Sequence, residues 1–249
     1  MKILCLSDFH IDHKDGFKQY KSFIDGLLQE YNPEVVVITG DIFEPYYKVN
    51  PYKKLHELIS DRKVICTLGN HEFLGKTVEE TLTEYKHLYC PDQYDIHYLD
   101  IVEYINIGNY HFVGNVLWYD GSMKCLPNQD LNTFADGAWA DKDIKKFDWV
   151  SECSKCKDAI IRNQGEDWTI NILCTHTCPH ILLNAHQIKI RNPFNAFSGV
   201  ADFLNSVKFD YAICGHTHLR VVGEMIGDCR CINVGNDYHP PFKYFLLDI

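Results

Sequence analysis

The sequence contains no apolar run long enough to cross a bilayer, no strong cluster of basic residues, and no tract of proline, glycine and serine that would read as a linker. The first absence excludes a helical membrane span, which needs about 20 predominantly apolar residues. The second argues against general affinity for nucleic acid. The chain has 24 Lys and Arg against 34 Asp and Glu, a net charge of −10, and an acidic surface repels a phosphate backbone. A bound metal pair would still make one pocket locally positive. The third absence, with no internal repeat or low-complexity tract, leaves one domain spanning residues 1–249. At the amino terminus, Ile3–Leu6 is too short for the apolar stretch of a signal peptide, and Asp8 follows closely. A cytoplasmic location is therefore expected.

Cysteine, by contrast, is plentiful: there are eleven, an odd number scattered along a chain too long for a small disulfide-stapled fold. Reduced thiols are expected. Three pairs are close in sequence: Cys153/Cys156, Cys174/Cys178 and Cys229/Cys231. A C-x-x-C zinc site needs a second half of similar spacing. Cys153 and Cys156 instead share one face of an expected helix, Asp143–Asn163, near Phe147, Val150 and Ile160, where they read as small core hydrophobes.

Five short runs rich in β-branched residues read as buried strands: Lys2–Ser7, Glu34–Thr39, Lys63–Leu68, Thr169–Cys174 and Asp210–Cys214. Each is almost continuously apolar, as expected for a strand covered on both faces. Helical periodicity fills the gaps between the first three, at Phe17–Tyr31 and Pro51–Ser60. Residues 94–120 read as an antiparallel meander turning at Gly108-Asn109, and Leu219–Ile226, Cys229–Val234 and Tyr244–Asp248 continue that character. The class is therefore α/β, with two packed sheets flanked by helices. Gly121–Asp141 has no period and reads equally as a lid, a cleft wall or a surface loop.

The chemistry follows the strands. The first runs into Asp8-Phe9-His10, the second into Gly40-Asp41, and the third into Gly69-Asn70-His71-Glu72. The fourth runs into Thr175-His176 and the fifth into Gly215-His216-Thr217-His218. Sites form where the carboxyl ends of strands in an α/β sheet converge. Carboxylates, imidazoles and one amide, with no thiolate among them, suit Mn, Fe or Zn. Asp41 could bridge two ions with its two oxygens. Two ions about 3.5–4 Å apart would activate a shared water and clamp the attacking and leaving oxygens.

This ordered set resembles the calcineurin-like metallophosphoesterase family, whose signature runs D-x-H, G-D-x-x-D/E, G-N-H-D/E, H and G-H-x-H. The matching residues, with Glu44 completing the second motif, run from Asp8 to His218. The resemblance implies a four-layer αββα sandwich of two mixed sheets flanked by helices, around a dimetal centre. It assigns Asp8, His10, Asp41 and His218 to one ion, and Asp41, Asn70, His176 and His216 to the other. Manganese is expected, with Fe, Zn, Ni or Mg as alternatives. His71 falls on the leaving-group side, with Glu44, where the family often has Asp, as the carboxylate that orients it. The implied activity is hydrolysis of a phosphodiester or phosphomonoester by in-line attack of a metal-bridging hydroxide.

Substrate contacts are expected from Asn70, His71, Arg191 and Tyr46. Tyr46 and Tyr47 could form an aromatic wall, and His180, His186 and Lys189 share a loop with Arg191. The family's carboxy-terminal N-x-G segment matches Asn233-Val234-Gly235, with no arginine close behind. A small phosphorylated or nucleotide-like substrate is favoured. Two other readings remain: a nuclease, which would want a basic track or stacking aromatics, and a non-catalytic scaffold, which would have lost ligands. The protein-phosphatase branch is a poor match, because Gly40-Asp41 continues as Ile42-Phe43-Glu44-Pro45 without arginine.

Overall fold

Alternation of side chains explains why the apolar runs form central strands. In β1 (Lys2–Leu6), Ile3 and Cys5 point into a layer between two sheets, while Leu4 and Leu6 face helices. All four are fully buried, each of the larger ones contributing about 1.5–3 kcal/mol by leaving water. The computed structural model describes residues 1–12, 16–44, 50–122, 144–166, 169–179, 203–204, 206–218, 220–237 and 240–249.

In the first sheet β1, β2 (Val35–Thr39), β3 (Lys63–Thr67) and β4 (Ile96–Tyr98) pair in parallel and in chain order. The second sheet begins with the hairpin β5 (Tyr104–Ile107) and β6 (Tyr110–Asn115), and continues through β7 (Ile170–Thr175) and β8 (Tyr211–Cys214). β9 (Arg220–Ile226) forms its far edge, antiparallel to β10 (Cys229–Val234), which runs parallel to β8. β11 (Phe245–Asp248) returns to the first sheet, antiparallel to β1. The layer between the sheets draws Val35, Val37 and Ile65 from one side and Phe112, Ile172 and Ile213 from the other. With helices flanking both sheets, this is the expected α/β sandwich.

Among the described residues the α-helices are α1 (Gly16–Tyr31), α2 (Pro51–Ile59), α3 (Val78–Leu88), the single turn α4 (Leu99–Val102) and α5 (Trp149–Arg162). Helix α2 starts where Asn50 accepts from the Lys53 N–H at 3.2 Å and Pro51, lacking an N–H, leaves no donor to satisfy. Helix α3, absent from the sequence reading, is announced only by its capping box, Thr77 with Glu80.

Two expectations need correction. Residues 94–120 are not one meander: β4 joins the first sheet in parallel, and only β5–β6 form a hairpin, turning at Gly108 with φ +61°. Helix α5 starts at Trp149 rather than Asp143, because Asp148 accepts from the Ser151 N–H and caps it. Val150 consequently faces solvent, while Cys153 is buried and Cys156 packs against the same core. The loop reading at Gly121–Asp141 falls mostly outside the described residues.

Asp100 in α4 fastens the two sheets together. Its carboxylate accepts from the Leu68 N–H at 2.7 Å, just past β3, and from the Val116 N–H at 2.8 Å, just past β6. Burial outweighs these donors and pushes its carboxyl up to about 6. The folded protein therefore holds this proton more tightly than the unfolded chain does. Stability from this group is greatest below about pH 4 and falls as pH rises through about 6. Asp100→Asn should flatten that part of the profile and cost about 1–3 kcal/mol, because its NH2 must face a backbone donor. Urea unfolding between pH 4 and 7 tests both; an unchanged profile would rule out the latch.

Candidate metal centre

The first two motif loops run side by side. Asp8 N–H donates to Gly40 O at 3.1 Å, His10 N–H to Asp41 O at 2.9 Å, and Ile11 N–H to Ile42 O at 3.1 Å, extending the β1–β2 pairing past the strand ends. The glycines permit the approach. Gly40 has φ +80°, and a Cβ there would lie 2.4 Å from His176 Nδ1; at Gly69 a Cβ would lie 2.2 Å from Asp41 Oδ1. No side chain fits either position.

Both sheets contribute. Asp8, His10 and His218 bring ligand atoms within 4.8 Å of one another, and so do Asp41, His176 and His216. Asn70 joins the second group: its Oδ1 lies 3.0 Å from His176 Nε2 and 3.1 Å from His216 Nδ1. A third group, His10, Asp41 and His71, overlaps the others at Asp41 and His10. All but His216 and His218 of the seven expected ligands are buried, yet the cluster sits at the open carboxyl ends of the strands. Five have left-handed backbone: Asp8, His10, Asp41, His216 and His218, with φ between +42° and +68°. Such strain in non-glycine residues concentrates at functional sites.

The donor set fits divalent cations. His176 Nδ1 donates to Thr39 O at 2.8 Å, which turns Nε2 inward. There it meets Asn70 Oδ1, His216 Nδ1 at 3.2 Å and Asp41 Oδ2 at 3.3 Å. Four atoms able to offer lone pairs converge on one corner, an arrangement that suits a proton or a metal cation between them. Burial disfavours charge on His176, but Asp41 and Asp8 outweigh it and raise its pKa to about 10. In turn, burial opposes charge on Asp41, while His176, His71 and His10 hold its carboxyl well below the usual range. The potential that traps a proton here is one a cation can use, and binding would release that proton.

His71 stands at the rim. Its Nδ1 pairs with Glu44 Oε1 at 2.6 Å, and its Nε2 lies 3.9 Å from Asp41 Oδ2. Its backbone N–H donates to Asp41 Oδ1 at 3.0 Å. Burial would lower its pKa, but Asp41 and Glu44 outweigh that and carry it to about 9. Glu44 is correspondingly held down to about 2: burial raises it, and His10 and His71 more than reverse the effect.

Glu72, the last residue of Gly-Asn-His-Glu, is structural. Its buried carboxylate accepts from Gly69 N at 2.7 Å, Ile42 N at 2.6 Å, Phe43 N at 2.9 Å and Asp41 N at 3.2 Å. It thereby clamps the Gly-Asp loop to the Gly-Asn-His loop. Asn233, matched to the N-x-G segment, is internal: it donates to Thr217 Oγ1 at 2.8 Å and accepts from Gly235 N at 2.9 Å. The adjacent Asn236 donates to Ser7 O at 3.1 Å and to Lys243 O at 2.9 Å. Nothing in the sequence separates these structural asparagines from cleft residues. Tyr46, Tyr47, His180, His186, Lys189 and Arg191 lie outside the described residues.

Comparison with solved structures gives phosphopantetheinyl hydrolase (PptH) from Mycobacterium tuberculosis, with TM-score 0.69 and 16% identity over 95% of this chain and 89% of that one. A dimetal phosphatase from Danio rerio aligns with TM-score 0.60 and 12% identity, covering 99% and 91%. GAP50, the anchor in the inner membrane complex of Plasmodium, aligns at 0.55 and 12%, covering 94% and 71%. At such identities the likeness is one of fold. No curated protein sequence matches the chain. The family model of the calcineurin-like phosphoesterases, however, matches residues 1–220. The chain therefore belongs to the calcineurin-like phosphoesterase family, a family of hydrolases acting on phosphoric esters.

Proposed function

We propose that the protein is a dimetal phosphoesterase of a small phosphorylated or nucleotide-like substrate, formed by a single domain. The observation that carries this is the convergence of Asp41 Oδ2, Asn70 Oδ1, His176 Nε2 and His216 Nδ1 on one corner, beside Asp8, His10 and His218. Asp8, His10, Asp41 and His218 would hold one ion, and Asp41, Asn70, His176 and His216 the other. When bound, such a pair supplies Lewis acidity and activates water.

The chain's own residues do the rest. Asp41 fixes the spacing between the two ligand sets. Asn70, a neutral ligand, limits the negative charge facing the phosphate. His71 keeps Nε2 toward the cleft because Glu44 engages Nδ1, and from there it delivers a proton to the leaving oxygen. Manganese suits this mixed oxygen and nitrogen set, and the acidic surface favours a small substrate over a long polyanion.

The test is hydrolysis of an aryl phosphodiester and an aryl phosphomonoester after chelation and after reloading with Mn2+, Zn2+ or Mg2+. Activity should vanish on chelation and return with metal, and the preferred ester divides the substrate classes. Hydrolysis that survives complete chelation would overturn the reading.

A further inference from the structure

Glu44 stands where the family often has Asp, and its reach has a consequence for two histidines. His71 Nδ1 is 2.6 Å from Glu44 Oε1, and His10 Nδ1 is 3.6 Å from the same oxygen. On their other sides, His10 Nε2 and His71 Nε2 lie 3.7 and 3.9 Å from Asp41 Oδ2. The two rings meet edge to face with centroids 4.6 Å apart. Two imidazoles are thus held side by side between one oxygen of Glu44 and one oxygen of Asp41. Glu44 itself is anchored: its backbone N–H donates to Asp12 Oδ2 at 2.7 Å, two residues beyond His10.

We infer that Glu44 is a positioning residue for both histidines, setting the Nδ1–H tautomer of the ligand His10 and of the proton donor His71 at once. This rests on the dimetal reading above. A metal-binding histidine almost always gives its other N–H to an oxygen, and that partner fixes ring orientation and tautomer. For His10, with Nε2 turned toward Asp41, the Glu44 oxygen faces Nδ1. The 3.6 Å separation is an electrostatic contact rather than a formed hydrogen bond; a cation on Nε2 would make Nδ1–H more acidic and draw the pair together. The extra methylene of Glu relative to Asp gives one carboxylate the reach to serve both rings. Metal affinity and leaving-group protonation are consequently tied to one side chain.

Long-range 1H–15N spectra of the metal-free protein, recorded above the His71 pKa of about 9 so that both rings are neutral, report the histidine tautomers directly, and calorimetry with Mn2+ and Zn2+ reports the ions without reference to turnover. In wild type both His10 and His71 should carry the proton on Nδ1. Glu44→Ala should scramble both tautomers, weaken binding of one ion about 10–100-fold, and lower kcat more than it changes KM. Glu44→Asp, with its shorter arm, should restore the nearer His71 and much of kcat while leaving His10 and the metal affinity impaired. If Glu44→Ala disturbs His71 alone with metal affinity unchanged, or Glu44→Asp restores both histidines, the shared role is overturned. Failure of the dimetal reading looks different: the wild type itself would bind no metal.

Discussion

Asp41→Asn should lower kcat/KM for phosphate-ester hydrolysis by at least about a hundredfold, the top of the range for losing a group that merely supports a metal ligand. It should also remove at least one of the two ions. The substitution keeps the size of the side chain and changes its charge. Asp41 Oδ2 faces three imidazoles, His176 at 3.3 Å, His10 at 3.7 Å and His71 at 3.9 Å, while Oδ1 accepts from the His71 N–H at 3.0 Å. A neutral amide has one acceptor oxygen and cannot satisfy both ligand sets. It also removes the largest attraction raising His71. Burial, which lowers that pKa, then loses its main opponent, so the His71 proton should leave at lower pH than in wild type. Metal content by elemental analysis and the His71 titration by NMR check the two halves separately. A variant with full metal content and wild-type turnover would remove Asp41 from the centre.

His71→Ala should behave differently, losing turnover while keeping its metals. A positioned proton donor is worth about 10²–10⁴-fold, and the loss should depend on the leaving group. An alkyl phosphate needs a proton on its departing oxygen and should show the full loss. A nitrophenyl ester, whose phenolate leaves unaided, should lose far less. The wild-type rate on the alkyl ester should fall as pH rises through the pKa of His71. In the apo pocket that lies near 9, and a cation on Asp41 would move it lower by cancelling the attraction. Equal losses on the two esters would make His71 a substrate-positioning group instead.

Much of this was legible in the sequence because it depends on local order. A strand buried on both faces is mostly apolar, so its end shows as the first polar residue after the run; after the five runs that residue is Asp8, Asp41, Asn70, Thr175 and His216, each in the cluster or directly before one of its members. What was not legible depends on partners distant in the chain. The role of Glu72 appears only when Gly69 and Ile42 stand beside each other. Asp100, in an unremarkable Leu-Asp-Ile-Val, matters because β3 and β6 end on either side of it. The meander failed for a related reason. Alternation identifies a strand but not the sheet it joins, and β4 and β5 are five residues apart yet belong to different sheets.

The left-handed backbone at Asp8, His10, Asp41, His216 and His218 makes function and robustness compete in this fold. Each such residue costs about 1–3 kcal/mol, and the cost falls on the folded state alone. Cations that bind only the folded state offset it by mass action, by about 4 kcal/mol at a free concentration a thousand times Kd. The melting temperature should therefore follow the metal supply. Glycine at His216 or His218 would relax the backbone and remove a ligand in one step. Released from selection for hydrolysis, the same scaffold could drift toward a sturdier, inert protein through its own catalytic positions.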